Sequence, residues 1–413
     1  MTLRRFLPII LLTLICGPAS AAPLVRAAPG EPPAPPMVFY VVKGAADACG
    51  RGCDSWIAAE GQIDSNAAPR FRKFLTRVRD RNLPIYFSSP GGNLDQALAM
   101  GAMLRERPMV ARVARTVVKE CGFEAQNGDV CLKLKQSGRE LRGDLWTRGA
   151  MCNSACPYLI LGASSREIAP DAVLGVHSAK VVVRFSGGIP TQQMRTAATA
   201  RGHERADRML SSYIVKMGGD LELLDLAKSV KFETMHVLTR EEIAGFGIDR
   251  REFVETPWTF ENNGRSLVRK TVVQKNDADR SFRLSQWRLF CFSTEQFELD
   301  LQRQAVASSG FPTVAISDGG PKPLYLSPAA SRPSGFDLWG LRLTRASVQS
   351  LTTLPQLDFT ETSQATDGRR LARSAKFSSE GLTSALESLL ATCPAAKSIA
   401  PLQTIGSRDS AVK

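Results

Sequence analysis

Residues 84–98 read Pro-Ile-Tyr-Phe-Ser-Ser-Pro-Gly-Gly-Asn-Leu-Asp-Gln-Ala-Leu. A short strand, Pro84 to Ser88, is expected to run into the turn Ser89-Pro90-Gly91-Gly92. Asn93 is then placed to cap a helix, because its side-chain oxygen can accept a free first-turn N–H. Glycine pairs at such a turn free backbone N–H groups to face an anion or an oxyanion. The order strand, turn, helix recurs downstream. Val110 to Val118 reads as a strand, an insert follows, and the second turn is Cys152-Asn153-Ser154-Ala155-Cys156, with a helix expected from Tyr158 to Leu161. Ala172 to His177 is another strand. Upstream, Val38 to Val42 and Trp56 to Glu60 read as strands. Pro69 is expected to open a helix with Phe71, Phe74, Leu75 and Val78 on one apolar stripe. A long helix is expected over Thr191 to Met217. This alternation predicts an α/β core.

The chain has 413 residues, enough for two domains. It is 43% hydrophobic and 23% charged, which excludes a fibrous repeat or wholesale disorder. After about Glu255 the texture changes to short β-like runs: Leu267 to Gln274, Trp287 to Phe292, Phe297 to Leu301, Thr313 to Ile316 and Phe336 to Leu343. One helix, Ser379 to Ala391, completes what reads as a small α+β domain over 256–395, and 396–413 reads as a loose tail.

Arg4 and Arg5, the apolar run Phe6 to Cys16, the break at Gly17-Pro18 and the small residues Ala19-Ser20-Ala21 have the order of a secretory signal, with cleavage expected after Ala21. Residues 22–36 hold six prolines and read as a linker. No later apolar run is long enough for a spanning helix. The expected mature chain is exported, to a periplasm or the extracellular space. It keeps Cys49, Cys53, Cys121, Cys131, Cys152, Cys156, Cys291 and Cys393. An even set in an oxidising compartment reads as disulfides, with local partners favoured and Cys291 expected to pair with Cys393. Zinc is the competing reading for the two Cys-x3-Cys pairs, but they lack the tighter knuckle spacing. The net charge of +13 invites a nucleic-acid reading. Basic residues are scattered, aromatic residues are 7% of the chain, and no nucleic-acid motif is present, so no nucleic-acid partner is expected.

Three pieces carry possible chemistry. Gly91-Gly92 can present N–H donors. Ser154 lies before a helix, where the dipole favours developing negative charge. His177, in Leu174-Gly175-Val176-His177-Ser178, ends a strand and could serve as a general base for a serine. His203 sits among charged residues and reads as surface. His236 reads as partly buried, and no histidine pair has metal-ligand spacing.

The order of these pieces, with His177 lying 23 positions after Ser154 and Gly245-Phe246-Gly247-Ile248-Asp249 closing the region, resembles the ClpP/crotonase-like fold over about residues 37–255. Within that fold it is similar to exported ClpP-like proteins. The resemblance implies repeated strand-strand-helix units, Ser154 as nucleophile and His177 as base. It also implies an oxyanion hole drawn from Gly91, Gly92 and Ala155, and no cofactor or metal. The reaction implied is attack on an amide or ester carbonyl of an unidentified substrate, most simply a peptide. Assembly into a homo-oligomer is implied by analogy. The pattern departs at the third catalytic position, which falls near Ala227. Asp225 is the nearest carboxylate and is out of register. A Ser-Lys arrangement would need Lys119 or Lys180, and the spacing recommends neither. The alternative reading is a catalytically inactive binding or scaffold protein of the envelope.

Overall fold

The chain is described from a computed structural model covering residues 34–395, apart from 79–81, 186–188, 277–279, 305–310, 318, 321, 330–335 and 365–368. The expected signal, the linker up to residue 33 and the tail lie outside the described residues.

The first part of the chain forms β1 (Val38–Lys43), β2 (Ser55–Glu60), α1 (Ala67–Arg77), β3 (Ile85–Ser88), α2 (Leu94–Arg105), β4 (Val110–Val113), β5 (Arg115–Val118), α3 (Asp129–Gln136) and β6 (Leu141–Trp146). It continues with β7 (Met151–Asn153), α4 (Cys156–Leu161), β8 (Ser165–Glu167), β9 (Val173–Val176), α5 (Gln192–Lys216), α6 (Glu222–Ser229), β10 (His236–Val237) and α7 (Arg240–Gly245). A seven-stranded sheet has the order β5-β6-β1-β2-β3-β4-β8, and a three-stranded sheet has the order β10-β9-β7. Strands β2, β3, β4 and β8 are mutually parallel, as are β7 and β9.

Both faces of the larger sheet are covered, which is why its strands read as continuous apolar runs. In β1, Val41 joins a core built with Phe71, Phe74 and Leu75 of α1 and Leu98 of α2. Tyr40 and Val42 join the opposite core with Trp56, Val118, Cys121, Cys131 and Leu141. The insert before Ser154 therefore forms the second layer. Lys135 of α3, almost wholly buried, fastens it by an ion pair to Glu60 at 2.8 Å.

Two of the boundaries that differ from the expectation have a clear local cause. Helix α1 begins at Ala67, two residues before Pro69, because Ala67 N–H is held by the Asp64 carbonyl and a proline fits a first turn where no N–H is required. The expected single strand Val110 to Val118 is two. Ala114 N–H donates to the Phe87 carbonyl, after which the chain leaves β3 and pairs with β6.

A second hydrophobic core runs from Trp258 to Leu389. Its strands are β11 (Phe253–Glu255), β12 (Thr259–Asn263), β13 (Arg265–Lys275), β14 (Phe282–Cys291), β15 (Gln296–Gln304), β16 (Thr313–Ser317), β17 (Leu324–Pro328), β18 (Phe336–Thr344), β19 (Gln356–Gln364) and β20 (Arg370–Ser378), with α8 (Arg345–Thr353) and α9 (Leu382–Leu390). All ten strands belong to one sheet. β11 pairs with β13, so this sheet begins slightly earlier than residue 256. Helix α8 was not expected. It starts at the cap Thr344, whose side chain accepts Ser347 N–H, and buries only Val348 and Leu351, too narrow a stripe to stand out in sequence. The two parts touch through Arg148–Glu261 at 2.6 Å and through Phe282 N–H donating to Glu241 at 2.8 Å.

Among the described residues four disulfides are present: Cys49–Cys53, Cys121–Cys131, Cys152–Cys156 and Cys291–Cys393. Among the described residues no helix is long and apolar enough to cross a membrane.

Candidate functional site

Three strand ends meet at one edge. The segment after β3 is stitched to β7: Ser89 N–H donates to the Met151 carbonyl at 2.7 Å, and Asn153 N–H donates to the Ser89 carbonyl at 3.0 Å. β7 in turn pairs with β9, with Asn153 opposite Gly175. The turn bearing Gly91-Gly92, the residue following Asn153 and the residue following Val176 thus leave neighbouring strands at their C-terminal ends. That is the edge at which parallel α/β sheets bind ligands.

Ser154 is where β7 breaks. Its φ is +59°, a left-handed conformation that L-residues with a side chain adopt at a cost. Its N–H still donates to the Gly175 carbonyl, at 2.8 Å, so the last contact with β9 is kept while the chain swings toward α4. The helix starts two residues later, at Cys156, with Pro157 in its first turn. Ser154 is therefore the apex of a strand-to-helix elbow and not a helix cap. Cys152 and Cys156, both fully buried, tie the two limbs of the elbow together.

His177 follows β9 directly, one strand over. Its ring meets Phe232 edge-on at a centroid distance of 4.9 Å. Its Nδ1 is buried and has no hydrogen-bond partner among the described residues. Burial pushes the imidazole below the ordinary histidine range, while a backbone contact at Ser178 and the Glu233 carboxylate pull it the other way. The downward shift favours the neutral ring, the form that accepts a proton. No hydrogen bond joins Ser154 to His177 among the described residues. The Asn153 Oδ1 atom, which lies above Gly175, is also buried and unpartnered.

The expected oxyanion donors separate. Gly91 N–H is occupied by Ser89 Oγ at 3.1 Å, so Gly91 is removed as a donor. Its role is spacing, with φ at +98° and its Cα packed against Ser154. Gly92 pairs with Ile63 through its neighbours: Ile63 N–H donates to Gly91 O, and Asn93 N–H donates to Ile63 O. That leaves Gly92 N–H without a partner among the described residues, and Ala155 N–H is equally uncommitted.

The structure does not bring Asp225 to His177. Asp225 is exposed in the first turn of α6, and the cation that feels its charge is Lys228. α6 buries Leu223, Leu224 and Ala227, which turns the aspartate to solvent. Lys119 is engaged with Asp144 at 3.1 Å, and Lys180 lies over the Phe232 ring at 5.6 Å. His203 is exposed.

One pair was missed. His236 of β10 lies opposite Val176, and its Nε2 sits 3.0 Å from both carboxylate oxygens of Glu242. Glu242 also closes a capping box with Thr239. The Thr-x-x-Glu spacing was legible as a helix start; that it would fix a carboxylate beneath His236 was not. No protein-family model matches the chain, and no curated protein matches it.

Proposed function

We propose that the protein is an exported serine hydrolase of the ClpP/crotonase-like fold, acting on an amide or ester carbonyl and most simply on peptides. The observation that carries this reading is Ser154 at the apex of a left-handed elbow, one strand from His177 and beside two uncommitted N–H donors. An elbow of this kind lifts a hydroxyl off the strand end so that a planar carbonyl can approach it. In the proposed reaction Ser154 Oγ attacks the carbonyl carbon and its proton passes to His177. The resulting oxyanion is held by Gly92 and Ala155 N–H, and the leaving group takes the proton back from His177. Water then repeats the sequence on the acyl-enzyme. The four disulfides support an oxidising destination for the chain.

A second reading is favoured by one observation. Among the described residues His177 Nδ1 has no hydrogen-bond partner behind it, whereas a serine triad orients its histidine with a carboxylate. A non-catalytic envelope binding protein that retained the fold would look the same. Labelling of the purified protein with a fluorophosphonate separates the two. Adduct formation at Ser154 that is lost in both Ser154→Ala and His177→Ala supports the hydrolase. Absence of any adduct with intact folding supports the binding protein.

A further inference from the structure

From the second core, we infer that the protein has a binding site for a small organic anion with a flat apolar body, distinct from the Ser154 edge. A cavity of about 530 Å³ lies between β13, β14 and β15 on one side and β19 and β20 on the other. This is an ordinary size for a small-molecule site. In sheet order β15 and β19 are separated by three strands, yet Arg303 of β15 and Glu361 of β19 form an ion pair at 2.6 Å. The sheet therefore curls until its two limbs face each other, and the cavity is the space enclosed. Its apolar wall is aromatic. Trp287 stacks on Phe377 with centroids 5.1 Å apart and meets Phe359 edge-on at 5.5 Å.

Its polar wall is cationic. Among the described lining residues Lys275, Arg283, Arg303 and Arg373 stand against one carboxylate, that of Glu361. Lys275 is answered by Glu252 at 2.7 Å. Arg303 is nine-tenths buried, and its Nε has no partner among the described residues even though its Nη1 is paired. A buried guanidinium with one donor unfilled is a cost that an oxyanion would remove. Arg373 stands directly across from Glu361 in the β19–β20 ladder, is exposed and forms no ion pair among the described residues. Aromatic faces for the body and guanidinium groups for the charge together select a planar carboxylate, sulfonate or phosphate.

The test is calorimetric titration of the full chain with naphthalene-2-sulfonate, with neutral 2-naphthol as comparison. One saturable site per chain is expected, weakened by salt, with the neutral compound bound about tenfold or more weakly. Arg373→Glu is expected to weaken the sulfonate about tenfold while leaving 2-naphthol unchanged, and Arg72→Glu, on the exposed side of α1, to change neither. Ala375→Trp, which fills the cavity, should abolish both. Equal binding of the two compounds, sulfonate binding indifferent to Arg373→Glu, or no binding at millimolar concentration would each overturn the inference. Arg373 is exposed and forms no ion pair among the described residues, but a glutamate there would face Glu361 across the ladder, so Arg373→Gln, expected to weaken the sulfonate by a smaller factor and to leave 2-naphthol unchanged, is the companion variant that separates loss of the site from loss of the fold.

Discussion

Gly91 is packed against Ser154. A Cβ added at Gly91 would lie 2.5 Å from the Ser154 Cβ and 2.5 Å from the Asn153 carbonyl oxygen, on a backbone whose φ is already +98°. The turn after β3 thus forms the wall against which the serine elbow is shaped. Gly91→Ala combines a left-handed penalty with a backbone clash, and is expected to cost about 3 kcal/mol. It should also remove fluorophosphonate labelling. Gly149→Ala is the control, since its φ of +65° opens onto free space and only the conformational cost of about 1–2 kcal/mol applies. Denaturant titration of both variants measures the difference. Equal losses would mean that the close approach to Ser154 is not a constraint.

Ser154 itself carries the opposite strain. At φ +59° a glycine is at ease where a serine is not, although glycine gives back about 0.5–1 kcal/mol through its unfolded-state freedom. Ser154→Gly should therefore be as stable as the parent or slightly more so, while labelling vanishes. Ser154→Val should lose about 1–2 kcal/mol. Such a trade of stability for a strained group is characteristic of reactive sites. A Ser154→Gly variant destabilised by well over 1 kcal/mol would identify the hydroxyl as a structural group and remove the tension on which its reactivity is argued.

Much of this site was legible because it is local. Asn93 caps α2 by accepting Gln96 N–H, as its position after Gly92 implied, and Thr191 caps α5 in the same way. The strand Val173–Val176 was readable from its apolar run, so the position of His177 at a strand end followed, whereas the three-residue β7 that ends just before Ser154 was not read as a strand. What could not be read is what depends on sheet order. That Ser89 would bond to β7 and bring Gly91 under Ser154 requires strands 60 residues apart to be neighbours, and no local pattern encodes that. The His236–Glu242 pair and the face of α6 that turns Asp225 outward are likewise set by packing. In the second part, the β runs were visible, but the curl that brings Arg303 to Glu361 is a property of the closed sheet.

The charge environment of His177 sets a direction for the pH profile. Its imidazole lies below the ordinary value of ~6.5 because burial disfavours the cation. The general base must be unprotonated, so the acid limb of any Ser154-dependent hydrolysis or labelling should fall below pH ~6.5, and activity should persist into mildly acidic buffer. Glu233 opposes this by favouring the charged ring. Glu233→Gln should move the limb further toward acid, whereas a carboxylate that truly orients the ring would on removal cost turnover at every pH. A limb above the ordinary histidine value, or one unmoved by Glu233→Gln, would show that another group titrates.

The disulfides should divide by burial and loop size. Cys291–Cys393 closes a sequence separation of 102 and pins the end of α9 to β14, while Cys152–Cys156 closes a separation of four. Loop-closure entropy gives about 5 kcal/mol for the first and about 2 kcal/mol for the second. Of these two the longer loop is also the more accessible, since Cys291 and Cys393 are partly exposed and Cys152 and Cys156 are fully buried. Mild reductant under native conditions should therefore open Cys291–Cys393 before Cys152–Cys156. That would loosen the second core while the Ser154 elbow stays closed and still labels. Timed alkylation with peptide mapping checks the order. The double variant Cys152→Ala, Cys156→Ala should cost about 2 kcal/mol in global stability, less than loss of Cys291–Cys393, and should slow labelling, because the tie between β7 and α4 is what holds Ser154 at the apex. Early alkylation of Cys152, or unaltered labelling in the double variant, would leave the elbow held by Gly91 and the β9 hydrogen bond alone.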